Sequence, residues 1–198
     1  VRETDVNIEL PEAFTSGERP LIYFSLGSLG SADVALMNRI LSVLATMDVY
    51  VIVSKGPLHD EITLADNMFG AEFLPQTKLI PRSDLVITHG GNNTVTESMH
   101  FGKPMVLLPL FWDQYDNAQR VHEKGYGRRL PTYAFTDEDL KHAITDVLGD
   151  DELLARVQAA GERIRSRDGL RRAADLLEEL ALSGRQSNPA TASIKVIA

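Results

Sequence analysis

The sequence predicts an α/β domain built on a doubly wound parallel sheet, and three observations carry that prediction. Short apolar runs alternate with amphipathic stretches from Leu21 to about Leu130. The runs are apolar almost throughout, as expected of strands covered on both faces. Several end in glycine or proline and lead straight into helical sequence, the pattern of strand–helix crossovers.

The elements follow in order. Leu21–Ser25 (LIYFS) reads as the first strand, closed by the tight turn Gly27-Ser28-Leu29-Gly30. Val34–Met47 reads as a helix with Val34, Met37, Leu41, Leu44 and Ala45 on one face. Val49–Val53, Ala71–Leu74 and Leu85–Thr88 are the next three strands. Asn92–Phe101 is a helix stopped by Gly102 and Pro104, and Met105–Leu108 is a fifth strand ended by Pro109. Asn117–Lys124 belongs to a helix stopped by Gly125, and Gly127–Leu130 gives a sixth strand. Beyond Pro131 the pattern is helical: Asp137–Leu148, Asp151–Arg165 and Leu170–Ala181. The first of these opens on Thr136-Asp137-Glu138-Asp139, with acids at the positive end of the helix dipole. Residues 1–18, rich in charge and turn formers, read as an interdomain linker. A start at Val1 rather than Met reads as a piece of a longer chain. Residues 19–183 form the domain, and 184–198, without period, a flexible tail.

Composition narrows the function. The formal charge is −8, against a nucleic-acid partner, because phosphate backbones are bound by surplus Lys and Arg. The absence of cysteine excludes disulfides and thiolate chemistry and fits a reducing, cytoplasmic location. No stretch approaches the roughly 20 apolar residues of a membrane span. The histidines other than His89 show no metal-ligand spacing with acids.

The chemistry concentrates in 73–114. A strand runs into His89-Gly90-Gly91 and a helix begins at once. Glycine there lets backbone approach a ligand closely, and the new helix offers unpaired N–H groups where a pyrophosphate can sit. His89, Asn93 and Thr94 can donate to phosphate oxygens, although His89 could equally satisfy a buried backbone group. Glu97 shares a helix face with Asn93. A carboxylate one turn from a pyrophosphate suits a ribose diol. Asp113 and Gln114, after two aromatics, suit sugar hydroxyls; Asp113 could instead cap the following helix. Ser28 sits in the first strand–helix turn, as a phosphate contact or a turn residue alone. Phe73 offers a ring for base stacking or for core packing, with Gln76 beside it.

The run FLPQ…LIPRSDLVITHGGNNTVTESMHFGKPMVLLPLFWDQYDNAQ, with the SLGS turn at Ser25, resembles the donor-binding signature of the UDP-glycosyltransferases. The resemblance implies a GT-B architecture of two Rossmann-like halves, of which this chain is the C-terminal, donor-binding one with its closing helices. It places His89 on the pyrophosphate with Ser28, Asn93 and Thr94 assisting beside Gly91, and Glu97 on the ribose. Asp113 and Gln114 would hold the sugar, and Phe73 and Gln76 would lie at the base. Phe73 and Asn92 stand where plant members usually carry Trp, so GGNN resembles the bacterial macrolide-type and animal branches more. The implied reaction is an inverting, metal-independent transfer from a UDP-sugar or dTDP-sugar to a small-molecule hydroxyl. The acceptor and the general base would belong to an N-terminal half not in this sequence, leaving this chain inactive by itself. The alternative is a non-catalytic nucleotide-sugar-binding subunit that works with a separate partner chain.

Overall fold

A computed structural model describes residues 6–186, with side chains to residue 183. Within that range the chain forms a large unit, 6–164, and a second, 165–186.

The large unit is organised by six strands: β1 (Leu21–Ser25), β2 (Tyr50–Ser54), β3 (Met68–Ala71), β4 (Leu85–Thr88), β5 (Met105–Leu107) and β6 (Gly127–Arg129). They form one sheet in the order β3-β2-β1-β4-β5-β6, and every pairing is parallel. Ile22 pairs with Val51 on one side and Leu85 on the other, so β1 is central. The helices are α1 (Gly27–Gly30), α2 (Val34–Leu44), α3 (Gln76–Leu79), α4 (Asn92–His100), α5 (Gln114–Glu123), α6 (Asp137–Leu148) and α7 (Asp151–Arg165).

Both faces of the sheet are buried, for the reason the continuous apolar runs suggested. Successive side chains of a strand point to opposite faces. Ile22 and Phe24 of β1 enter one core with Met37, Ile40 and Leu44 of α2 and Leu140, Ile144 and Val147 of α6. Leu21 and Tyr23 enter the other with Leu79 of α3 and Ala118 and Val121 of α5. Phe14, on a single 3₁₀ turn at Glu12–Thr15, joins this second core and stacks 4.7 Å from the Tyr50 ring. Part of the segment expected as linker therefore packs on the domain.

Several boundaries differ from expectation. The third strand is Met68–Ala71, three residues before the expected Ala71–Leu74. It is the sheet's edge, and only Met68 is fully buried, so its apolar pattern is weaker than that of the Phe73-Leu74 pair beyond it. Helix α5 starts at Gln114 rather than near Asn117, and α2 ends at Leu44 rather than Met47. Helix α6 matches its expected span and carries a full capping box between Thr136 and Asp139.

The second unit contains α8 (Gly169–Gln186), longer than the expected Leu170–Ala181. Asp168 Oδ1 accepts from the Arg171 N–H at its start. The expected tail, 184–198, lies outside the described residues from 187 onward. Among the described residues, no helix is long and apolar enough to cross a membrane.

Candidate functional site

The strand order fixes where a ligand can bind. From β1 the chain runs outward through β2 to β3, then returns to add β4, β5 and β6 on the other side. At such a switch point the loops leaving neighbouring strands diverge and open a crevice beyond their carboxyl ends. A cleft of about 450 Å³ lies there, and eight of the ten expected site residues line it: Ser28, Phe73, Gln76, His89, Gly91, Asn93, Thr94 and Asp113.

His89 closes β4 and sits between two glycines. A Cβ on Gly27 would come within 2.7 Å of its Cε1, and a Cβ on Gly91 within 2.5 Å of its Nε2. Gly27 also adopts φ 72°, a left-handed conformation that glycine tolerates and other residues rarely do. The two missing side chains make the slot for the ring. Thr88 Oγ1 lies 3.3 Å from His89 Nδ1, and burial pushes the imidazole below its ordinary pKa. A hydrogen bond to the Ser25 backbone and the Asp113 charge act the other way but more weakly. His89 is therefore neutral at pH 7, with a ring nitrogen able to donate.

Gly91 is the N-cap of α4 and supplies no capping side chain. The opening N–H groups of the helix thus lack a side-chain acceptor at the wall formed by Asn92, Asn93 and Thr94. The cleft residues include one acid, Asp113, and neither lysine nor arginine. Anion binding here would rest on neutral donors and the helix dipole.

The two remaining expected residues are off the cleft wall. Glu97 is 3% exposed and lies against Gln76, whose amide nitrogen donates to its carboxylate. The same amide nitrogen is 3.3 Å from Thr94 Oγ1, and its oxygen accepts from the Tyr23 hydroxyl at 3.2 Å. Gln76 is thus the central member of a Tyr23–Gln76–Glu97 chain, reaching the cleft where Glu97 does not. Gln114 is also 3% exposed, and its Oε1 accepts from the N–H groups of Leu110 (2.9 Å) and Phe111 (3.1 Å). It holds the β5–α5 turn together, and its amide nitrogen makes no hydrogen bond among the described residues.

Two ambiguities of the sequence are resolved by position. Phe73 is 63% exposed on the cleft, so it is not a core residue. Asp113 precedes α5 but its side chain makes no capping bond; Asn117 Nδ2 holds its Oδ2 at 3.0 Å instead. Asn117 Nδ2 also reaches the Gly90 carbonyl at 3.0 Å, tying the β5–α5 turn to the glycine turn after β4.

Sequence reasoning missed Tyr23, Ser54 and Gly56, which also line the cleft. The signals were present: a phenol inside an otherwise apolar strand, and a Ser-Lys-Gly break after Tyr50–Val53.

The family model described as "UDP-glucoronosyl and UDP-glucosyl transferase" matches residues 5–157. The chain is 33% identical over 164 residues to the NDP-glycosyltransferase YjiC of Bacillus subtilis (strain 168), covering 81% of this chain and 42% of that one. It is 31% identical over 176 residues to the zeaxanthin glucosyltransferase of Pseudescherichia vulneris, covering 85% and 41%. The solved structure of the kitacinnamycin glycotransferase superposes with a TM-score of 0.79 at 26% identity, covering 90% of this chain and 46% of that one. The chain spans about two-fifths of the length of these curated relatives.

Proposed function

Because the chain belongs to the UDP-glucuronosyl and UDP-glucosyl transferase family, we propose that its cleft binds the nucleotide-sugar donor of a glycosyl transfer to a small-molecule hydroxyl. The observation that carries this reading is His89 slotted between Gly27 and Gly91 above the uncapped start of α4. That arrangement offers a diphosphate a ring donor and a row of backbone donors at one point.

The donor lies across the carboxyl ends of the strands. Phe73, after β3, stacks the base, and Gln76 with Glu97 behind it addresses the ribose. His89, Ser28, Asn93 and Thr94 hold the diphosphate, and Asp113 with the Gln114 amide nitrogen meets the sugar hydroxyls. The transfer inverts the anomeric carbon and needs no metal ion. As the bond between that carbon and the β-phosphate oxygen breaks, negative charge grows on the diphosphate. Donors already fixed by the glycine slot and by α4 stabilise that charge without reorganising. A second half of the protein binds the acceptor and supplies the general base. Lack of cysteine supports a cytoplasmic location.

Calorimetric titration of the chain with UDP, dTDP, GDP and the corresponding sugar nucleotides, with and without magnesium, tests the reading. Binding of a pyrimidine diphosphate without metal is expected. No heat at millimolar ligand, or heat only with magnesium, contradicts it. The affinity should be weak, because one wall of the cleft has to offset the cost of ordering the ligand.

A further inference from the structure

Among the described residues, Trp112 is the only non-glycine with a positive φ, at 55°. A bulky side chain is disfavoured in that region, where Cβ crowds the following carbonyl. The turn leaves the residue little choice. Gln114 Oε1 pins the N–H groups of Leu110 and Phe111 on one side, and Asn117 pins Asp113 on the other. The strain yields no burial in return. The indole is 77% exposed and touches Phe111 edge-on, centroids 4.9 Å apart at 74°. A large ring that the fold both strains and leaves in water is a natural place to look for a contact with something outside the fold.

Position indicates what that is. In the sheet order β3-β2-β1-β4-β5, Phe73 follows β3, His89 follows β4 and Trp112 follows β5. The four strand intervals from β3 to β5 span roughly 19 Å at about 4.8 Å each, a distance suited to a base, a ribose, two phosphates and a hexose in sequence. With the diphosphate at His89, the hexose falls at the β5 end, where Asp113 lines the cleft and Trp112 is its immediate neighbour in the chain. Resting on the donor-site reading above, we propose that the Trp112 indole is the stacking face for the donor's hexose. The ring would cover the sugar's C–H face while Asp113 takes its hydroxyls, and Trp112 would thereby act as a specificity determinant for the sugar.

Trp112 is the chain's only tryptophan, so indole fluorescence reads this residue alone. The test titrates the chain with UDP and UDP-glucose, and with dTDP and dTDP-glucose, following heat and emission together. The sugar nucleotides are expected to shift the emission to the blue, and the plain nucleotides to leave its maximum in place. Trp112→Gly, which relieves the strained φ, should keep or raise Tm, hold UDP affinity within about twofold, and weaken UDP-glucose severalfold; Trp112→Phe should restore part of the loss. A ring that merely supported the turn would instead lower Tm in both variants. Calorimetric binding of the sugar nucleotide with unchanged emission, or Trp112→Gly binding it as tightly as the parent, overturns the proposal alone. Absence of binding by all four ligands overturns the donor-site reading and this proposal with it.

Discussion

The Gln76 amide stands between the Glu97 carboxylate and the open cleft, donating to that carboxylate through its nitrogen and accepting from Tyr23 through its oxygen. The carboxylate is almost fully buried, so this hydrogen bond offsets part of its desolvation. Gln76→Ala should cost about 1.5–3 kcal/mol, the range for a bond to a charged group, as measured by urea unfolding. Glu97→Gln should weaken UDP more than 2′-deoxy-UDP if the pair reads the ribose diol. Equal weakening would place Glu97 in a purely structural role.

The two glycines around His89 separate ring position from backbone strain. Gly27→Ala adds a methyl against the ring and puts alanine at φ 72°; it should lose about 1–2 kcal/mol of stability from the left-handed backbone and most of its UDP binding. Gly91→Ala meets the ring just as closely but at an ordinary φ of −62°. Its stability loss should stay under about 1 kcal/mol, the penalty of a poorer N-cap, while UDP affinity falls as far as in His89→Ala. Thermal unfolding and calorimetry on the three variants check this pair of outcomes.

Buried His89 resists protonation, with its pKa held below the ordinary value near 6.5. As pH falls below about 6.5, the unfolded chain takes up a proton there that the folded chain refuses. This contribution to stability is therefore fully present above that pH and declines as pH drops toward the folded value. A bound diphosphate favours the charged ring, so in the same window ligand binding should take up a proton and the affinity should rise as pH falls. His89→Gln should flatten both dependences. The difference between parent and variant cancels the titration of the diphosphate itself.

Gln114 has a structural duty as well as a proposed sugar contact, and two substitutions separate them. Gln114→Ala leaves the Leu110 and Phe111 N–H groups without their acceptor; it should cost roughly 2–6 kcal/mol, at about 1–3 for each unmade bond, and should weaken UDP and UDP-sugar together through the loosened turn. Gln114→Glu keeps an acceptor oxygen and loses the amide donor. It should hold the fold and weaken the sugar nucleotide alone. Equal binding of both ligands by parent and Gln114→Glu would remove Gln114 from the sugar site.

The fold was legible because the information is local and redundant. Four strands, β1, β2, β4 and β5, lie on continuous apolar runs, and a glycine or proline follows each of them closely. The edge strand Met68–Ala71 was misplaced because only one of its four residues is fully buried, while the apolar Phe73-Leu74 next to it serves the cleft instead of the sheet. At the site, short-range spacing identified His89, Gly91, Asn93 and Thr94, which share one turn. It could not separate residues that face the cleft from those that stand behind others. Glu97 behind Gln76 depends on a contact across 21 residues, and Tyr23 on one across 53. Nothing in Phe111-Trp112-Asp113 signals the left-handed backbone found at Trp112.

The seam between β1 and β4 also bears on how the protein comes into being. Asp84 at the foot of β4 accepts from the Leu21 N–H at 2.8 Å, joining residues 63 apart in the chain. The β1–α2–β2 crossover unit can assemble as soon as β2 is made, but the β1–β4 pairing waits for a longer loop to close, an entropically slower step. The His89 slot straddles that seam, with Gly27 on one side and Gly91 on the other. A chain still emerging from the ribosome with only its first three strands exposed has no slot at all. A nucleotide bound as proposed would therefore act only on the finished sheet, holding it closed by mass action and leaving the earlier stages of folding untouched.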